Sequence, residues 1–207
     1  MTVDTLVLAT QSQGKIAELT ALLAPIQCIP QIQLTIPEVA ETGLSFIENA
    51  LIKARHASRH STYAALSDDS GLVIEALGGR PGIYSARFAG TKASDVTNMQ
   101  KVLQLMQGIG PGARQAYFYC AMALVRYPED PTPILACGRL DGVILDAPRG
   151  QQGFGYDPIF FLPDYDKTLA ELGSQEKNLI SHRAQALKSL LASRLRMAKN
   201  ETNRHPC

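Results

Sequence analysis

The four cysteines, Cys28, Cys120, Cys137 and Cys207, show no C-x-x-C spacing and have no paired histidines beside them. That excludes the usual zinc and dithiol motifs and leaves Cys120, inside an apolar run from Phe118 to Val125, as a buried free thiol. His56 and His60 stand at i, i+4, a spacing zinc uses, but no third ligand accompanies them. The pair reads as a solvated helix face. No basic run exceeds one helix face and the net charge is +1, which argues against nucleic acid as a partner, since a backbone binder needs a clustered positive footprint. No apolar stretch is long enough to span a bilayer, so no membrane partner is expected. The N-terminus has neither a basic region nor a long apolar segment; no signal peptide is expected, and the chain reads as cytoplasmic. Internal repeats and low-complexity segments are missing as well.

What is present is a chain of 207 residues, 45% apolar and 19% charged, the composition of a soluble globular protein. The length suits one large domain or two small lobes sharing a core over residues 1–198, with a polar, frayed tail over 199–207. Its organising stretch is Leu66-Ser67-Asp68-Asp69-Ser70-Gly71-Leu72, followed by a glycine-rich segment from Gly78 to Phe88. Tyr63 to Leu66 reads as the end of a short strand, which places both aspartates where the chain turns. Adjacent carboxylates repel, and each costs free energy to desolvate alone. Hard Mg²⁺ would relieve both problems and keep waters for a phosphate substrate. An isolated Asp-Asp-Ser-Gly is ordinarily a solvated turn; the rest of the chain argues for more.

Thr5 to Thr10 is apt for a buried strand, and Lys15 opens a helix with Ile16, Leu19, Leu22 and Leu23 on one face. Strand, turn, Gly14-Lys15 and helix make a phosphate-binding geometry. A P-loop is rejected, because Ala9 replaces its first glycine and Ile16 its Mg²⁺-holding hydroxyl. Cys28 to Leu34 is expected as a second strand, and Ile36 to Gly43 as a loop carrying Glu38 and Glu41. Ser45 and Glu48 form a capping box for a helix to about His60, with Asn49 and Lys53 on one face. Leu72 to Leu77 is expected as a separate strand. Ser94 caps a helix that turns Val96, Met99, Val102, Leu103 and Met106 inward, and two long strands follow over Gln115–Tyr127 and Ile134–Leu145. The loop Gly150 to Pro158 imitates a dinucleotide fingerprint, but a strand rather than a helix is expected after it, so it reads as a binding loop that presents an aromatic ring. Ser181 caps the last helix, which puts His182 and Arg183 in its first turn, against the dipole. Basic residues kept there suggest hydrogen bonding to a ligand.

These separated motifs resemble, in order and spacing, the inosine triphosphate pyrophosphatase-like family, over about Leu6 to Leu191. The carriers are Ser45 to Ala50 with Lys53-Ala54-Arg55, Asp68 to Leu72, Gly79 to Arg87, Gly153 to Pro158, Ala170-Glu171, Glu176-Lys177 and Ser181-His182-Arg183. The resemblance implies an α/β fold, an elongated mixed β-sheet flanked by helices, in two lobes with a central cleft. It implies a homodimer that requires Mg²⁺ and hydrolyses non-canonical purine nucleoside triphosphates (ITP, dITP, XTP) to the monophosphate and pyrophosphate. By position, it assigns substrate contacts to Thr10, Gln11, Ser12, Gln13, Gly14, Lys15, Lys53, Ser70, Phe154, Gly155, Tyr156, Asp157, Lys177, His182 and Arg183. Asp69 matches the proton acceptor, and Asp68, Asp69, Glu38 and Glu41 are the metal candidates; whether Asp69 is base or ligand stays open. Two departures stand out. Thr10-Gln11-Ser12 replaces the family's Thr-Gly-Asn, and Ala40 stands where relatives often carry a second acid. The alternatives are a nucleotide-binding regulator without catalysis, given the altered first loop, and a pyrophosphatase of other modified nucleotides.

Overall fold

The computed structural model describes residues 5–202, with side chains over 5–193. The strands are β1 (Thr5–Leu8), β2 (Gln27–Pro30), β3 (Ala65–Ile74), β4 (Gln115–Val125), β5 (Ile134–Ile144), β6 (Phe160–Leu162) and β7 (Lys167–Thr168). The helices are α1 (Gln13–Leu23), α2 (Phe46–Ser61), α3 (Asp95–Leu105), α4 (Ser174–Ile180) and α5 (His182–Thr202). One seven-stranded open sheet runs in the order β2-β1-β3-β4-β5-β6-β7. It is mixed: β1 pairs in parallel with β2 and β3, while β6 pairs antiparallel with β5 and β7. The expected α/β class holds, and no helix among the described residues is long and apolar enough to cross a membrane.

The chain divides into two compact units. The first takes the chain up to Asp69, Ala121–Gly138 and the chain from Ala184; the second takes Ser70–Cys120 and Arg139–Arg183. In the first, Leu8, Leu19, Leu66, Leu187 and Leu190 are buried. In the second, a core of Leu72, Ile74, Met106, Phe118, Ile159 and Phe160 is sealed off, with the Phe118 and Phe160 rings 4.7 Å apart.

Several expectations need correction. The aspartates do not sit in a turn: β3 passes straight through Asp68, Asp69, Ser70 and Gly71 and ends at Ile74, and Glu75–Leu77 is a 3₁₀ turn. An Asx turn satisfies backbone groups locally, but a strand flanked by β1 and β4 satisfies them through ladders. The second strand stops at Pro30 and gives way to a 3₁₀ turn, Gln31–Leu34; β2 lies at the sheet edge, where a proline is tolerated. Val96 is 55% exposed, and the α3 position buried in its place is Asn98. The Ser45 cap stands, with the Ser45 hydroxyl accepting from Glu48 N–H. The frayed-tail expectation for 203–207, and with it Cys207, lies outside the described residues; Lys199 to Thr202 belong to α5.

The connection between β4 and β5 is tied by Asp130, which is fully buried. Its carboxylate accepts from Arg126 N–H at 3.0 Å, from the Arg126 guanidinium at 2.8 and 2.5 Å, and from Thr132 N–H at 2.9 Å. These bonds, the guanidinium's first, hold the carboxyl far below the usual aspartate range. Asp130→Asn should therefore cost about 2–3 kcal/mol in urea unfolding at pH 7. A depressed folded-state pKa stabilises above the unfolded value and loses that contribution as pH falls toward the folded one. The gap between wild type and variant should thus close below about pH 4; an equal gap at pH 7 and pH 3 would contradict the role given to the charge.

Candidate active site

The first unit gathers acids and ammoniums around β3. Successive side chains of a strand point to opposite faces, so Asp68 and Asp69 meet different partners. Asp68 faces Lys15 of α1 at 3.0 Å and has no exposed side-chain area. Asp69 faces Lys53 of α2 at 3.0 Å through Oδ1, and its Oδ2 accepts from Asn49 Nδ2 at 3.3 Å. Lys53 also reaches Glu41 at 2.8 Å. The i, i+4 spacing of Asn49 and Lys53 is what lets both touch one carboxylate. Ser67 anchors the strand by donating to Ala50 O of α2.

A buried carboxylate costs several kcal/mol unless paired, so the lysines are a condition of this strand's existence. Burial pushes the Asp69 carboxyl above the usual range; Lys53 and Lys15 pull it down, and Glu41 pushes it further up. For Lys53, burial opposes the charge, yet Asp69, Asp68 and Glu41 outweigh it and hold the ammonium's pKa above the ordinary lysine value. Both members of one pair are thus raised. Partial burial decides the aspartate, and the surrounding negative charge decides the lysine. A carboxylate with raised proton affinity, beside cations, suits general-base work at neutral pH.

The metal candidates do not form one cluster. Glu41 and Asp69 converge on Lys53, Asp68 pairs with Lys15, and Glu38 is exposed and joins none of these pairs. Among the described residues, no group of three or more acids, histidines or cysteines is placed to hold a metal. Mg²⁺ asks for less: one or two carboxylates, completed by waters and substrate phosphates. Glu41 and Asp69, whose negative potential already meets at one ammonium, fit that donor chemistry.

The first loop adopts no backbone conformation that would need a glycine at Gln11. Thr10 Oγ1 accepts from Ser12 N–H at 3.2 Å, and Gln11 and Ser12 are not among the residues with positive φ. Gln11, Ser12 and Gln13 are exposed, while Gly14 and Lys15 are half-buried. Ser12 stands at the N-cap of α1 without a side-chain cap bond, which leaves first-turn N–H groups for an anion.

The second unit gathers a ring and its cations. Asp157, buried, accepts from Phe154 N–H at 2.9 Å and from Lys177 Nζ at 2.6 Å. The Lys177 ammonium lies 4.5 Å from the Phe154 ring centroid, and the Arg183 guanidinium 5.8 Å. Arg183, 1% exposed, donates to Ser70 Oγ at 3.1 Å. His182 stacks on Phe118 at 4.8 Å between centroids. After the loop, a 3₁₀ turn and then β6 follow, so the dinucleotide reading stays excluded. Residues missed from the sequence include Asp95, which accepts from Gly155 N–H at 2.8 Å, and Ser85, which accepts the Tyr156 hydroxyl at 2.8 Å through its carbonyl. Ser85 lies inside the Gly79–Arg87 segment but has no chemical pattern of its own in the sequence; Asp95 reads only as a helix-start acid.

The model of the Ham1 family matches residues 6–193. The chain belongs to the Ham1 family. A relative from Legionella pneumophila (strain Lens), named dITP/XTP pyrophosphatase, is 56% identical over 90% of this chain and 96% of its own length. One of the same name from Escherichia coli (strain K12) is 50% identical over 89% of this chain and 95% of its own. The solved structure of a Ham1 protein from Coxiella burnetii superposes with a TM-score of 0.83 at 46% identity, covering 92% of this chain and 98% of that one. The Ham1 assignment agrees with the resemblance drawn from the motifs.

Asp69 should titrate above the ordinary aspartate value in a carboxyl NMR titration of this Ham1 chain. Lys53→Met should raise it further, because the cation opposing burial is gone. A lower value in the variant would contradict the balance described above.

Proposed function

We propose that the chain hydrolyses non-canonical purine nucleoside triphosphates, dITP, ITP and XTP, to the nucleoside monophosphate and pyrophosphate. The observation that carries this reading is Asp69, a buried carboxylate of raised proton affinity paired with the Lys53 ammonium and within the field of Lys15. Relatives at 50–56% identity bear the name dITP/XTP pyrophosphatase and support the substrate class. A triphosphate needs concentrated positive charge, which Lys15, Lys53 and the first N–H groups of α1 offer. Water attacks the α-phosphorus and gives its proton to Asp69. A phosphorus–oxygen bond forms to the water oxygen, and the bond to the bridging oxygen breaks. Pyrophosphate departs with that electron pair. The two oxygens of Asp69 suit two tasks: Oδ1 faces the Lys53 cation, while Oδ2 has only a neutral amide donor, Asn49, and is the better proton acceptor. Mg²⁺, held by Glu41 and Asp69 together with substrate oxygens, would supply charge neutralisation at the phosphates.

Phe154 stacks on the base, and Lys177 and Arg183 set the donors around it. A guanidinium has five N–H donors and no acceptor, so it pairs with a purine's 6-carbonyl and opposes the 6-amino group of adenine. This reading also includes a homodimer and a cytoplasmic location, which the family resemblance supports; light scattering of the purified chain checks the first.

A panel of triphosphates scored for pyrophosphate tests the whole reading. dITP or XTP should exceed dATP in kcat/KM by at least about 100-fold, and EDTA should abolish turnover. Asp69→Asn should lower kcat by about 10²–10⁴ while substrate still binds. Near-normal turnover in that variant would remove Asp69 from the mechanism.

A further inference from the structure

The segment from Gly79 to Arg87 carries part of the family resemblance, yet none of its residues has a task in the proposed reaction. After β3 the chain doubles back: Pro81 bridges Val73 in an isolated antiparallel bridge, and Gly82–Arg87 forms a 3₁₀ turn. Ser85, 7% exposed, sits at the centre of that turn. Its hydroxyl accepts from Leu72 N–H of β3 at 2.9 Å and donates to Gly82 O at 2.7 Å. Its carbonyl accepts the hydroxyl of Tyr156 at 2.8 Å. Gly71 makes the approach possible: a Cβ there would lie 2.4 Å from both Ser85 Oγ and Gly82 O, closer than any atoms can sit. Asn98 of α3 holds the far side of the turn, donating to Ala86 O at 3.0 Å and accepting from Ala89 N–H at 2.8 Å.

Tyr156 lies in the loop that presents Phe154. That loop contains Gly153 at φ +79° and Gly155 at φ +64°, so its backbone has conformational freedom that its own sequence does not remove. What removes it is contact: Tyr156 to Ser85, Gly155 N–H to Asp95, and Phe154 N–H to Asp157. Burial raises the Tyr156 hydroxyl's pKa, with Asp95 adding to it, which keeps the group a donor. We propose that Ser85 is a positioning residue for purine recognition: through its hydroxyl on β3 and its carbonyl on Tyr156, it locks the Phe154–Asp157 loop to the strand. This rests on the reading of Phe154, Lys177 and Arg183 as base contacts. A ring displaced by about an ångström loses stacking and donor alignment together.

The test uses the full chain as wild type, Ser85→Ala, Tyr156→Phe and the double variant. Amide exchange over residues 150–158 should accelerate about tenfold in each single variant, since Tyr156→Phe deletes the bond to the Ser85 carbonyl and Ser85→Ala deletes the two hydroxyl bonds that hold that carbonyl in place. KM for dITP should rise about tenfold with kcat held within about threefold, and the preference for dITP over dATP should fall by a similar factor. The double variant should be no worse than the worse single one, because both substitutions open the same latch. Unchanged exchange overturns the proposal. So does a parallel change for both triphosphates that merely follows a lower Tm, and so does strict additivity. Should Ser85→Ala fail to fold, Tyr156→Phe, which removes one oxygen atom, carries the decision. A wild-type chain that hydrolyses neither triphosphate would sink the functional reading instead, and the exchange data would then decide the latch alone.

Discussion

Two carboxylates in the middle of a sheet strand need two cations, and most of the first unit is arranged to provide them. Asp68 and Asp69 point to opposite faces of β3, so a single counter-ion cannot serve both. Lys15 comes from the start of α1 and Lys53 from the third turn of α2, each delivered by a helix that packs on its own account. The compensation is deliberately incomplete at Asp69, where Glu41 competes for the same ammonium. Burial raises its proton affinity and Glu41 adds to it, and this is the property hydrolysis would draw upon.

The second unit solves a different problem, holding a glycine-bearing loop still. It uses hydrogen bonds to backbone groups, anchored on a serine, a tyrosine and an aspartate, and one tight ion pair between Asp157 and Lys177.

The starts of α2 and α3 are readable because their signals are local, whereas α4 has no such signal in the sequence. Ser45 with Glu48, and Ser94 by itself, announce their helix starts; the structure keeps both caps and adds Thr97 as the partner of Ser94. The acidic stretch misled because turn propensity is local while burial is not. Asp-Asp-Ser-Gly favours a turn, and the strand that overrides it depends on Lys15 and Lys53, far away in sequence. The same limit hid Ser85 and Asp95, whose partners, Tyr156 and Gly155, lie 71 and 60 residues away. Val96 misled for a simpler reason: it fits the apolar period of α3 but falls at its first turn, outside the packed face. Motif order along the chain, by contrast, survives any error in local structure, which is why the family was legible when the strand was not.

The pairing of Lys15 with Asp68 and of Lys53 with Asp69 and Glu41 has a consequence for how a ligand arrives. In the resting chain these ammoniums are already neutralised at close range, and the molecule as a whole carries a charge of only +1. So small a net charge gives a polyanion little long-range pull toward the molecule as a whole. Capture should therefore be nearly indifferent to ionic strength, and the attraction begins only once the visitor competes with the protein's own acids for their lysines.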